Sequence, residues 1–242
     1  MTVLIAGPTG ATGQLLVEQL LDRGVGVRAV VRPGSRLPER VTTHKNRELL
    51  EVIQGTVLDM DDEELQTHVQ GCGGVASCLG HNLTMKGLYG KPRRLVRDSV
   101  RKLYRALESP RTQEPVKLVL MNTAGNRHRE AGETVSPPEY LVTGLIRMLL
   151  PPHADNEQAA DVLAREVGTE HPSLEWVVVR PDNLTDQGDV QPYTVHPSPI
   201  RSAIFNPGQT SRITVAHFMA ELFTDGELWS AWKGRMPVVY NT

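Results

Sequence analysis

Gly7-Pro8-Thr9-Gly10-Ala11-Thr12-Gly13 is the stretch whose residue types and spacing point most directly to chemistry. Glycine permits a tight turn and lets the backbone come into contact with a ligand. Here the glycines recur every third residue, after the apolar run Val3-Leu4-Ile5-Ala6 and before an amphipathic stretch. That context places exposed N–H groups and the positive end of a helix dipole at one point, which is an anion site. The spacing therefore predicts a pyrophosphate cradle made by Gly7, Thr9, Gly10, Ala11, Thr12 and Gly13. A glycine triplet without the flanking strand and helix would be weak support.

A second chemical feature follows the next apolar run. Val27 to Arg32 reads as a strand, ending in Val31-Arg32-Pro33-Gly34-Ser35-Arg36. Sites that prefer NAD(H) usually carry Asp or Glu at this position, accepting hydrogen bonds from the ribose hydroxyls. A carboxylate would repel a 2′-phosphate, whereas a guanidinium pairs with it and stacks on adenine. Arg32, with Arg36 as a second candidate, therefore predicts NADP(H) as the preferred cofactor over NAD(H).

Other chemistries find little support. The 8 histidines show no HxxxH or HxH spacing, so no metal site is expected. No GxSxG elbow follows a strand, which argues against serine hydrolysis. Cys72 and Cys78 are the two cysteines, and their spacing fits neither a CxxC redox pair nor a zinc set. The net charge is −2 and aromatics make up 5%, so neither nucleic acid nor a membrane surface is an expected partner. Arg94, Arg97, Arg101 and Arg105 share a side of one helix, which reads as a solvated face. The chain opens on a strand with no secretory leader ahead of it, and no apolar run reaches the length of a membrane span. A cytoplasmic protein acting on a small-molecule substrate is expected, with oligomeric state left open.

These residues must be positioned by alternating strands and helices. Strands are expected at Thr2 to Ala6, Val27 to Arg32, Leu50 to Val57, Gly74 to Leu79, Val116 to Met121, Leu174 to Val179 and Pro237 to Tyr240. Helices are expected at Gly10 to Arg23, Asp61 to Val69, 91–109, 139–149, 153–168 and Thr214 to Phe223, with Pro151-Pro152 separating two of them. Such alternation specifies an α/β doubly wound Rossmann fold, a mostly parallel sheet with helices on both faces. The 242 residues are read as one NAD(P)-binding domain, 1–242. Loops 80–92, 125–138 and 182–212 are long, and in this architecture long loops cluster outside the strand carboxyl ends where ligands bind.

The motifs resemble those of the atypical short-chain dehydrogenase/reductases, a group that includes NmrA-like proteins and flavin reductases of the biliverdin reductase B type. The GxxGxxG spacing is theirs. Gly55-Thr56-Val57-Leu58-Asp59 is similar to the segment that meets adenine, with Thr56 where the family often has Asp. Ser77-Cys78-Leu79-Gly80-His81 resembles the strand end that passes the cofactor ribose. Val119-Leu120-Met121-Asn122-Thr123-Ala124-Gly125 resembles the strand end leading to the reaction site. Val178-Val179-Arg180-Pro181-Asp182-Asn183-Leu184 looks like the turn that touches nicotinamide. The resemblance implies cofactor contacts from Thr56, Val57, Cys78, Leu79, Gly80, Asn122, Thr123, Pro181, Asn183 and Leu184.

The catalytic end departs from the pattern of that family. Its typical Tyr-x-x-x-Lys pair would fall on Tyr140 and Gly144, so the lysine that lowers the tyrosine pKa is missing. Tyr140 could donate a hydrogen bond or simply pack a helix. Thr123 replaces the usual serine, either binding a carbonyl or capping a turn. His153 could supply a proton near neutral pH or sit at a helix start on the surface. His81 has the same two readings. A reductase needs no dedicated acid when the nicotinamide is positioned against an electron-poor acceptor and water gives the proton. The resemblance thus implies NADP(H)-dependent hydride transfer to a small conjugated or quinone-like acceptor. Two alternatives stand beside it: a non-enzymatic NADP-binding redox sensor of the NmrA-like kind, and an epimerase or dehydratase that uses the cofactor transiently.

Overall fold

In the computed structural model Thr2–Ala6 forms β1, and its last four residues are all buried. A strand covered by helices on both faces reads as a continuous apolar run, not an alternating one. Gly26–Val31 (β2), Gly74–Ser77 (β4), Val116–Met121 (β5) and Leu174–Pro181 (β6) are similarly covered, while Leu50–Gln54 (β3) is a half-exposed edge. Leu184–Thr185 (β7), Tyr193–His196 (β8), Thr210–Ser211 (β9) and Val238–Asn241 (β10) follow. The main sheet runs β3-β2-β1-β4-β5-β6-β10-β8. All neighbours pair in parallel except β10 with β8, which closes that edge antiparallel. The structure describes residues 1–81, 84, 89–108, 114–134, 142–145, 147 and 149–242.

Two helical layers sandwich the sheet. Ala11–Asp22 (α1) precedes the short Glu39–Thr42 (α2), then Asp62–Val69 (α3), Leu95–Leu107 (α4), Pro151–Asp161 (α5), Arg212–Thr224 (α6) and Gly226–Trp232 (α7). Leu16 and Leu20 of α1 pack with Phe218 and Met219 of α6 and with Trp229 of α7 on one face. Leu65 of α3, Val100 and Leu103 of α4 and Ala159 of α5 fill the other. This is the doubly wound architecture the alternation predicts.

Several boundaries differ for identifiable reasons. The described residues 142–145, 147 and 149 are helical, the helix breaks at Leu150, and Pro151 and Pro152 begin α5 two residues before the expected start, where the missing N–H costs nothing and φ is already helical. Beyond Asp161 the helix widens into a π-helical stretch, Val162–Val167. The third strand stops at Gln54, because Gly55 turns away while its N–H still bonds to Val31 O. The fourth stops at Ser77. Segment 182–212 contains β7, β8 and β9, each too short to show a period. Of the arginine face on α4, Arg97 pairs with Asp98 and Arg101 with Glu166, so it is knitted into local ion pairs. The expected helix at 139–149 falls partly outside the described residues, as do much of loop 80–92 and the end of loop 125–138. Among the described residues no helix is long and apolar enough to cross a membrane.

Candidate functional site

The glycine turn leaves β1 and enters α1 with a geometry that side chains would obstruct. Gly7 has φ +82°, a left-handed value, and a Cβ there would sit 2.8 Å from Cys78 O. A Cβ on Gly13 would lie 2.1 Å from Gly7 O, with backbone atoms as its other neighbours. The first turn of α1 has no side-chain cap and no acidic residue. By contrast Asp61 caps α3, Ser211 caps α6 and Asp225 caps α7. The orphan N–H groups of α1 are therefore open to a ligand, as a pyrophosphate requires.

Arg32 and Arg36 follow β2 and are exposed. The Ser35 N–H donates to Arg32 O at 2.9 Å, closing a tight turn between them. No hydrogen bond or ion pair engages either guanidinium among the described residues. Both groups fit a phosphate ester presented beside the turn.

The other expected cofactor residues divide by which of their atoms is available. Val57 and Cys78 are buried, and burial pushes the Cys78 thiol up to about 12. Both could offer only backbone. Thr12 is buried against the sheet, while Thr9 and Leu79 are half-buried and Ala11 and Gly80 are exposed. Thr56 bonds Asp59 through its hydroxyl, 2.7 Å from Oδ2, in a local turn. Pro181 ends β6 and its carbonyl accepts from the Ala124 N–H. Asn183 is exposed, and Leu184 lies in β7.

Asn122 departs from the expected role, because both ends of its amide are used within the protein. Nδ2 donates to Asn156 O at 2.9 Å, and Oδ1 accepts from the Thr123 N–H and from Asn126 Nδ2. It is a strut joining the β5 loop to α5. Cys72 and Cys78 are both free and buried, as packing residues are.

Past β5 and β6 the chain encloses a cleft of about 910 Å³. Thr123, Gly125 and His153, which lie close together, line it along with Asn183 and the 198–204 segment. Thr123 Oγ1 accepts from the Gly125 N–H at 3.3 Å, leaving its own proton to donate. His153 Nε2 is buried and lacks a hydrogen-bond partner among the described residues. Burial pushes the His153 pKa down, reinforced by Arg147 and opposed by Glu157. Near neutral pH the ring is therefore uncharged. Tyr140 lies outside the described residues.

His81 and Asp155 meet at 2.8 Å, and both side chains are buried. Asp155 also accepts the backbone N–H groups of Val96 and Arg97, capping α4 from outside. His81 thus tethers the β4 loop to α4 and α5.

The cleft walls hang on one buried arginine, Arg180, which is not among the expected site residues. Arg180 is 0% exposed and its partner Glu133 5%. Arg180 Nη1 and Nη2 donate to the two Glu133 oxygens at 2.8 and 2.7 Å. The same guanidinium donates to Asn126 O, Met236 O and Pro197 O, so three separate segments meet on it. Burial raises the Glu133 carboxyl, but the Arg180 hydrogen bonds and charge outweigh it and leave the pKa lowered. Glu157, on α5, is held by Arg147 at 2.5 and 2.6 Å and by Arg129 at 3.3 Å. A charge at the carboxyl end of the apolar run Trp176-Val177-Val178-Val179 is the sequence signal that could have revealed Arg180, since a buried charge needs a partner.

Because β1, β4, β5 and β6 are adjacent and parallel, their carboxyl ends share one edge. The glycine turn and Thr123 stand about two strand spacings apart, roughly 10 Å. Fold and site together define a doubly wound protein with a glycine turn at a helix start beside a cleft at the strand ends. A family model described as NAD(P)H-binding matches residues 7–226, and the chain belongs to that family. No curated protein matches the chain. Among solved structures, the oxidoreductase ylbE from Lactococcus lactis is 17% identical with TM-score 0.67, over 100% of this chain and 91% of that one. A wide-type short-chain dehydrogenase/reductase from Veillonella parvula, in complex with NADP, is 18% identical with TM-score 0.66, over 99% and 94%. ChuY, an anaerobillin reductase from Escherichia coli O157:H7, is 14% identical with TM-score 0.66, over 100% and 97%. At such identities the likeness is one of fold.

Proposed function

We propose that this protein is an NADP(H)-dependent oxidoreductase that reduces a small conjugated or quinone-like acceptor bound in the cleft. The observation that carries this reading is the cleft itself, with Thr123 and His153 on a wall next to the strand ends that follow the glycine turn. A redox sensor would need only a face for its partner, whereas turnover needs a concave site. Relatives of the same fold that carry NADP or reduce anaerobillin add support.

Gly7, Gly10 and Gly13 would hold the pyrophosphate, and Arg32 with Arg36 the 2′-phosphate. Bound there, the nicotinamide supplies a hydride. The residues of the chain do the rest. The Thr123 hydroxyl donates to the acceptor oxygen and fixes its orientation. Neutral His153 adds an uncharged ring to the cleft wall beside Thr123. Water delivers the balancing proton, so the absent Tyr-Lys pair is not required.

The test follows NADPH oxidation at 340 nm with a panel of quinones, flavins and enones. The reading expects turnover with at least one class, and a greater kcat/KM with NADPH than with NADH. Tight NADPH binding without turnover on any acceptor would replace it with the redox-sensor reading.

A further inference from the structure

The charges along the cleft are unequally engaged. Among the described residues two carboxylates line it, Glu133 and Asp182, and both are turned to the protein. Glu133 is paired with Arg180, and Asp182 accepts the N–H groups of Asn183 and Gly208 at 2.9 and 2.8 Å. The cationic lining residues among those described are Arg127 and Arg201. Arg201 is exposed, and no hydrogen bond or ion pair engages its guanidinium among the described residues. Ile200 beside it also lines the cleft and is 60% exposed, an apolar surface within reach of the same ligand. His153 also lines the cleft, with its Nε2 buried.

We infer that the cleft selects organic anions: a flat apolar body against Ile200 and a carboxylate or sulfonate on Arg201. The inference rests on the reading of the cleft as the acceptor site. Burial of the apolar body gives affinity for either a neutral or a charged ligand, while the guanidinium distinguishes them. A guanidinium–sulfonate pair at contact near a protein surface is worth about tenfold in affinity, within the range such a charge pair reaches there. A cleft of this volume accommodates a bicyclic or larger acceptor.

The experiment uses the protein loaded with NADP⁺, in which no reduction can occur. Dissociation constants are measured calorimetrically for 1,4-naphthoquinone-2-sulfonate and for neutral 1,4-naphthoquinone. The sulfonate should bind at least tenfold more tightly, and its advantage should shrink with added salt. Arg201→Gln should remove at least fivefold of the sulfonate affinity and change the neutral quinone less than twofold. Arg201→Lys should retain most of it, and Arg201→Glu should lose more than Arg201→Gln. Equal affinities for the two probes, no binding of the sulfonate, or a loss shared equally by both probes in Arg201→Gln would overturn the inference. The broader reading is judged separately by NADPH oxidation, so neutral acceptors turning over with no anion preference would leave it standing.

Discussion

The two ends of the site are built differently. The cofactor end is made by local backbone: three glycines within one turn, and an uncapped helix start immediately after them. The cleft end is made by side chains reaching across the chain. Arg180 meets Glu133 47 residues away, Asp155 meets His81 74 away, and Asn122 meets Asn156 34 away. A site made of backbone tolerates little change of residue type within its few positions. A site hung on distant ties can change its walls while the sheet beneath stays the same. That difference explains why the cofactor is the part shared with a whole family, while the acceptor must be argued from this chain alone.

The largest effect expected from breaking this contrast is at Arg180. Arg180→Met leaves Glu133 buried without its partner and should cost about 3–5 kcal/mol of unfolding free energy. Urea denaturation measures it. NADPH affinity, read by fluorescence titration under native conditions, should stay within about threefold, since the glycine turn is remote. Adding Glu133→Leu should recover much of the loss, because no charge is then stranded.

Gly13→Ala probes the other end. Its new Cβ would meet Gly7 O, so the turn must open. NADPH affinity should fall about a hundredfold, close to 2.7 kcal/mol. An unchanged titration curve would show that the turn does not hold the cofactor.

His153→Gln should lower kcat for the best acceptor by several-fold and leave NADPH affinity unchanged. The pH dependence of stability is the smallest and most diagnostic signal. Burial holds the His128 and His153 pKa values below 6.5, so the unfolded chain takes up protons first as pH falls. Stability is therefore full above 6.5 and declines below it. Glu133 and Glu157 lie below 4.5, which adds a second decline at still lower pH. His128→Gln should flatten the upper stage, and Glu133→Gln should remove part of the lower one. Equilibrium unfolding across that pH range checks both.

The parallel sheet, the helix layers and the glycine turn were legible because each is written in local periodicity. Val3 to Ala6, or Leu16 with Leu20, announce their burial within a few residues. Pro151 and Pro152 marked the break between two helical stretches, and only the start of the second moved, because proline is accommodated in the first helical turn. Strands β7 to β9 were hidden by their length of two to four residues. Thr123 and His153 were visible as residue types, and the structure brings them to one cleft. The ties that shape that cleft were not visible, since nothing near Glu133 in sequence names Arg180 as its partner. Asn122 shows the same limit from the other side, as a motif position whose amide is used for bracing.

The central claim is that the first two strand ends choose NADP(H), through the glycine turn and Arg32. Titration of NADPH and NADH against the natural chain and Arg32→Asp tests it most directly. The natural chain should bind NADPH at least tenfold more tightly than NADH, and Arg32→Asp should abolish or reverse that preference. Equal affinities in the natural chain, or a preference unmoved by Arg32→Asp, would contradict it.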